Sequence, residues 1–109
     1  MSSDVLLVLT TTPDAEVADR IAKALVEHRL AACVNVMPEC RSIYRWKGAV
    51  EESREHLLVI KSTRANFAGL CAAVRDIHPY EVPELLSFPA ENGLPAYMDW
   101  IREETLQDG

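Results

Sequence analysis

Two stretches of this chain, Val5-Leu6-Leu7-Val8-Leu9 and Leu57-Leu58-Val59-Ile60, are continuously apolar. Successive side chains of a strand point to opposite faces, so a sheet with helices on one side and water on the other alternates apolar and polar residues. These two runs do not alternate. Both of their faces want cover, and the helices of one chain supply cover on one face only. The second cover is expected from a terminal helix or from further copies of the chain.

The remaining elements follow from periodicity and punctuation. After the first run, Thr12 is expected to cap a helix that has Pro13 at its first position and Ala18, Ile21, Ala22 and Leu25 along one stripe. Residues 32–37 read as a second strand, interrupted at Pro38 and resumed over 41–47. Residues 49–61 read as its antiparallel partner after a turn at Lys47-Gly48. Thr63 is expected to cap a second helix, with Phe67, Leu70, Cys71, Val74 and Ile77 as its stripe and His78-Pro79 as its stop. Residues 82–88 read as a fourth strand, and Leu94 to Thr105 as a last helix packed through Tyr97, Met98, Trp100 and Ile101. The order βαββαβ plus a helix predicts an α+β fold of the ferredoxin-like split βαβ kind, an antiparallel sheet with both main helices on one face. One domain is expected over 1–109.

If residues 32–46 ran as one strand they would span about 50 Å at ~3.3 Å per residue, against a radius of gyration of about 13 Å for a domain of this size. Part of that hairpin would project and offer its edges to a neighbour. A hairpin bent sharply at Pro38 is the alternative.

Charge and composition exclude several classes. The 17 acidic residues exceed the 11 Lys and Arg, for a formal charge of −6, so nucleic acid is not expected as a partner. Met1-Ser2-Ser3-Asp4 has no basic targeting region and no apolar run approaches a bilayer span, which makes a cytoplasmic protein without a membrane partner the expectation. Cys33, Cys40 and Cys71 are odd in number and lack C-x-x-C spacing. They read as reduced thiols rather than a disulfide framework or zinc knuckle.

Chemistry concentrates in His78-Pro79-Tyr80-Glu81-Val82-Pro83-Glu84, where two prolines restrict an imidazole, a phenol and two carboxylates. The plain reading is a helix stop followed by a strand start. An imidazole and a carboxylate form a partial shell for Cu(II) or Zn(II), which take three or four ligands, so one chain does not complete a site. An intersubunit site repeats each ligand by symmetry, and an assembly of copies sums their charges of −6. Catalysis finds no constellation. Cys71 and His78 are separated by about 10.5 Å along a helix at ~1.5 Å per residue, too far to activate a thiol. Glu81 and Glu84 point apart on an extended chain, and no glycine-rich phosphate loop is present. Tyr44 and Trp46 share a face of the hairpin, where they line an intersubunit pocket or anchor an interface, and Tyr80 is placed to complete that pocket.

The motifs Thr11-Thr12-Pro13-Asp14, Ala31-Ala32-Cys33-Val34-Asn35, Ser42-Ile43-Tyr44-Arg45-Trp46-Lys47-Gly48, Lys61-Ser62-Thr63, the 78–84 segment and Tyr97-Met98-Asp99-Trp100 occur in this order. In this the chain resembles the CutA divalent-cation tolerance proteins over nearly its whole length. The resemblance implies ferredoxin-like subunits in a compact homotrimer similar to the PII signalling proteins, and non-catalytic binding of divalent metal ions, copper in particular, with no obligatory cofactor. It also implies a copper site at the positions of Thr10, His78 and Glu84, brought together between subunits. Thr10 stands where that site has a cysteine, so the metal ligands expected here are His78 and Glu84. The alternative is a PII-like trimeric small-molecule sensor or interaction scaffold, dependent on Tyr44, Trp46 and Tyr80.

Overall fold

The computed structural model describes residues 4–107. Met1 to Ser3, the start of the segment that lacks a basic targeting region, lie outside the described residues, as do Asp108 and Gly109. Strand β1 (Val5–Thr12) leads to helix α1 (Ala15–Glu27), strands β2 (Cys33–Trp46) and β3 (Ala49–Thr63), helix α2 (Phe67–Ile77), strand β4 (Leu86–Pro89) and helix α3 (Pro95–Glu104). The four strands form one antiparallel sheet in the order β2-β3-β1-β4. This is the α+β ferredoxin-like arrangement that the element order predicts.

The apolar runs divide into two faces. Leu6 and Val8 on β1 and Leu58 and Ile60 on β3 are buried, and they pack with Ile21 and Leu25 of α1 and Leu70 and Val74 of α2. The residues between them face away. Leu7 is 37% exposed, Phe88 48% and Leu86 54%, and strand pairing sets them beside Lys61 and Leu9 in one row with Val59 and Leu57. Helix α3 contacts the start of this second face through β1 and β3. Val5 and Ile101 are each 1% exposed there. An Arg102 guanidinium donating to both Asp4 carboxylate oxygens at 3.0 and 2.9 Å holds α3 down, as does the buried Asn66 amide donating to the Thr105 carbonyl at 2.9 Å. The Arg102 hydrogen bonds hold the Asp4 carboxyl below its ordinary range. Tyr97 and Trp100, expected as packing residues, stack at 5.6 Å yet remain 42% and 39% exposed.

Several boundaries differ from expectation for identifiable reasons. Thr12 is the last residue of β1 and pairs with His56, so its backbone belongs to the sheet. Asp14 caps α1 instead, its carboxylate accepting from the Val17 N–H at 2.9 Å. Thr63 makes no side-chain cap, because a 3-10 turn, Arg64–Asn66, precedes α2. Pro38 does not interrupt β2. The register shifts between Val36 and Glu39, and β2 is an edge strand, where a bulge tolerates a missing N–H. The β2–β3 hairpin closes at Lys47 and Gly48, both with positive φ (49° and 83°), the geometry of a two-residue turn matched to strand twist. Its length gives the domain extents of 43 × 27 × 23 Å. The fourth strand begins at Leu86, which leaves Glu81 to Leu85 irregular. Among the described residues no helix is long and apolar enough to cross a membrane.

Candidate functional site

Alternation along the hairpin puts Ser42, Tyr44 and Trp46 of β2 on the same face as Ser53 and Glu55 of β3. Tyr44 Oη and Ser53 Oγ share a 2.7 Å hydrogen bond across the pair. Opposite this face stands the turn 79–84, which the proline after α2 throws outward. The two enclose a cleft of about 730 Å³, lined by Thr11, Ser42, Ile43, Tyr44, Trp46, Glu55, Pro79, Tyr80, Glu81, Val82 and Glu84. A volume of this order suits a small organic molecule.

The structure brings together four of the five residues singled out in the sequence. Tyr44, Trp46, Tyr80 and Glu84 all line the cleft, with Glu84 exposed at its mouth. His78 lies behind it, 6% exposed, with its ring 4.6 Å from the Tyr80 ring. Both imidazole nitrogens are engaged. Nε2 is 2.7 Å from the Thr11 carbonyl, an acceptor only, so Nε2 carries the proton and donates. Nδ1 then accepts from the Tyr80 N–H at 3.2 Å. His78 thus pins the turn to the end of β1. It offers no free lone pair while the Tyr80 N–H stays in place.

Thr10, at the matching third position, is wholly buried on the helix-facing side of β1, and its Oγ1 has no hydrogen-bond partner. A sealed, unsatisfied hydroxyl costs about 1–3 kcal/mol, and valine has nearly its shape. Thr10→Val is therefore expected to raise unfolding stability by about 1 kcal/mol. Urea melts of the two proteins check this through the midpoint at unchanged slope.

One functional candidate was missed from the sequence. Glu55 is a carboxylate only 5% exposed, and its Oε2 accepts from Tyr80 Oη at 2.7 Å. Burial first, and then this bond to Glu55, push the Tyr80 phenol far above its usual range, so Tyr80 stays a donor. Glu55 stands two residues from Ser53 on the Tyr44 face, and that period was the signal available. Among the described residues no group of three His, Cys, Asp or Glu side chains is arranged to hold a metal ion. Cys33, Cys40 and Cys71 are free thiols, with Cys40 exposed. Burial pushes the Cys71 thiol up, against a smaller opposing effect of Arg75.

Comparison with known proteins agrees with the fold. The family model described as "CutA1 divalent ion tolerance protein" matches residues 6–104. The divalent-cation tolerance protein CutA of Thermus thermophilus is 52% identical over 91% of this chain and 96% of its own length. Protein CutA of Mus musculus is 47% identical over 87% of this chain, which spans only 54% of that longer relative. Among solved structures, a divalent cation tolerance protein from Thermus thermophilus superposes with a TM-score of 0.91 at 51% identity, covering 93% of this chain and 98% of that one. CutA1 from Oryza sativa does so at 0.92 and 33% identity, covering 98% of both chains. With the βαββαβ topology, the 78–84 turn and a match across nearly all described elements, the chain belongs to the CutA1 divalent ion tolerance protein family.

Proposed function

We propose that this protein is a non-catalytic divalent-cation tolerance protein that binds copper or another divalent ion as a cytoplasmic homotrimer. The observation that carries the metal reading is the 78–84 turn, which sets an oriented imidazole one ring away from a cleft whose mouth holds the Glu81 and Glu84 carboxylates. A histidine that donates one ring N–H to a backbone carbonyl has its tautomer fixed and its other nitrogen ready for a metal. His78 meets the first half of that description, with Thr11 as the carbonyl, while its Nδ1 is occupied by the Tyr80 N–H. Displacing the Tyr80 N–H from Nδ1 exposes a lone pair toward the turn that carries Glu84. Two ligands per chain leave a shell incomplete, and the remainder comes from a neighbouring copy or from water. Three chains of formal charge −6 also concentrate divalent cations electrostatically.

The trimer reading rests on the uncovered row of Leu7, Leu9, Leu57, Val59, Leu86 and Phe88, and on the projecting hairpin. Chemistry at a nucleophile has no support in Cys71, whose raised thiol is poorly ionised. A second reading, a trimeric small-molecule sensor or interaction scaffold, is favoured by the size of the cleft and its three aromatic residues.

Calorimetric titration with Cu(II) and Zn(II), in buffer free of thiols, separates bound ions from diffuse attraction. Wild type is expected to saturate, and His78→Ala and Glu84→Gln to weaken binding about tenfold or more each, in line with lost metal ligands and their supports. Unaltered affinity in His78→Ala, with the assembly intact, would move the site elsewhere, and Cys40 and His56 are then the next ligands to replace.

A further inference from the structure

Glu55 turns one carboxylate oxygen to the cleft with no donor among the described residues. A carboxylate only 5% exposed needs a compensating charge or a full set of donors. Its single hydrogen-bonding partner among the described residues is the neutral Tyr80 phenol, on Oε2, and it joins no ion pair. The other oxygen is left without a protein donor. It is not sealed either, because Thr10 Oγ1 is the one partnerless buried side-chain atom among the described residues, and the Glu55 side chain lines the 730 Å³ cleft. Whatever occupies this cleft meets an unpaired carboxylate oxygen at its inner wall.

The walls of the cleft carry aromatic and apolar surface beside the polar groups of Thr11, Ser42, Glu81 and Glu84. Trp46, Tyr44 and Tyr80 contribute ring surface, and Val82 contributes a side chain that is 68% exposed. Aromatic faces attract cations through their quadrupole, and indole does so best. The Trp46 ring already holds one, with the Lys47 ammonium 5.6 Å from its centroid. A bare divalent ion would use neither the rings nor most of the volume. A ligand with N–H donors, a positive charge and an apolar body uses all three features.

We propose that the cleft between the β2–β3 hairpin and the 79–84 turn binds a primary organic ammonium ion, its N–H groups on Glu55 and its apolar body against Trp46 and Val82. This rests on the small-molecule reading of the cleft and names the ligand class. It shares the cleft with the divalent-ion reading but not its ligands, His78 and Glu84, so each fails or stands alone.

The probe is phenethylammonium, with 2-phenylethanol as its uncharged counterpart, titrated into the assembled full chain by calorimetry. Phenethylammonium is expected to saturate with a Kd below about 1 mM, the range open to so small a ligand. The alcohol should bind about tenfold or more weakly, because it lacks a charge-assisted bond to Glu55. Glu55→Gln and Trp46→Leu should each lose about tenfold or more for phenethylammonium, at unchanged mass by light scattering. The Trp46 position is half exposed and serves as a control if the Glu55 change disturbs folding. Absence of saturable binding overturns the inference, as does wild-type affinity in Glu55→Gln. Equal affinity for the alcohol overturns it too, while leaving the small-molecule reading standing. A fall in assembly mass on Glu55→Gln also overturns it, since the compensating cation is then a side chain of another copy.

Discussion

On the proposed homotrimer, Leu9→Lys is expected to lower the mass in solution from three times 12.2 kDa to 12.2 kDa, with the subunit still folded. Leu9 lies in the middle of the uncovered sheet face, paired with Val59 on one side and Leu86 on the other. Each large apolar side chain brought from water into an interface stabilises it by ~1.5–3 kcal/mol when burial is complete. An ammonium placed among them reverses much of that gain and adds a desolvation cost of several kcal/mol. The subunit tolerates the change because its own core lies on the other face, behind Leu6, Val8, Leu58 and Ile60. Light scattering reads the mass, and far-ultraviolet circular dichroism shows whether the fold persists. A trimer of undiminished stability would place the interface away from this face.

Leu58→Ala acts on the opposite side of the sheet. Leu58 is fully buried between both main helices and the centre of the sheet. Truncating leucine to alanine at such a position costs about 2–5 kcal/mol, the transfer term plus the cavity left behind. Ordinary domains are stable by only ~5–15 kcal/mol, so a large share of the margin goes with one side chain. Chemical denaturation of each variant at equal protein concentration, which holds constant any stabilisation by the proposed assembly, should show a much lower midpoint for Leu58→Ala than for wild type.

The pair Leu9 and Leu58 also shows what was legible in the sequence. Unbroken apolar runs announced two faces needing cover, and the structure divides the runs residue by residue into a helix-covered face and an open one. The stripes of α1 and α2 and the stop at His78 were equally readable, since each depends on neighbours a few residues away, whereas Tyr97 and Trp100 of α3 remain exposed. The errors fell where a distant partner decides. Thr12 looks like a helix cap until its pairing with His56 is known, and Pro38 looks like a strand break until β2 is seen to be an edge. The site divides similarly. Tyr44, Trp46, Tyr80 and Glu84 stood out by residue type and by the prolines around them. Glu55 did not, because a glutamate in Glu51-Glu52-Ser53-Arg54-Glu55 looks like any solvated charge until the 79–84 turn folds over it. The sequence offered His78 as a metal ligand or a helix stop; its two hydrogen bonds, to Thr11 and from Tyr80, depend on partners fixed only in the fold.

Whether three copies assemble and hold divalent ions at equivalent sites is read most directly by native mass spectrometry of the full chain with and without Cu(II), which reports assembly and occupancy in one spectrum. The predicted result is a species of three times 12.2 kDa that takes up ions to a discrete threefold stoichiometry, as symmetry requires of equivalent sites, and that loses them in Glu84→Gln. A monomer, or a trimer with a continuous spread of copper counts unchanged by Glu84→Gln, would contradict it.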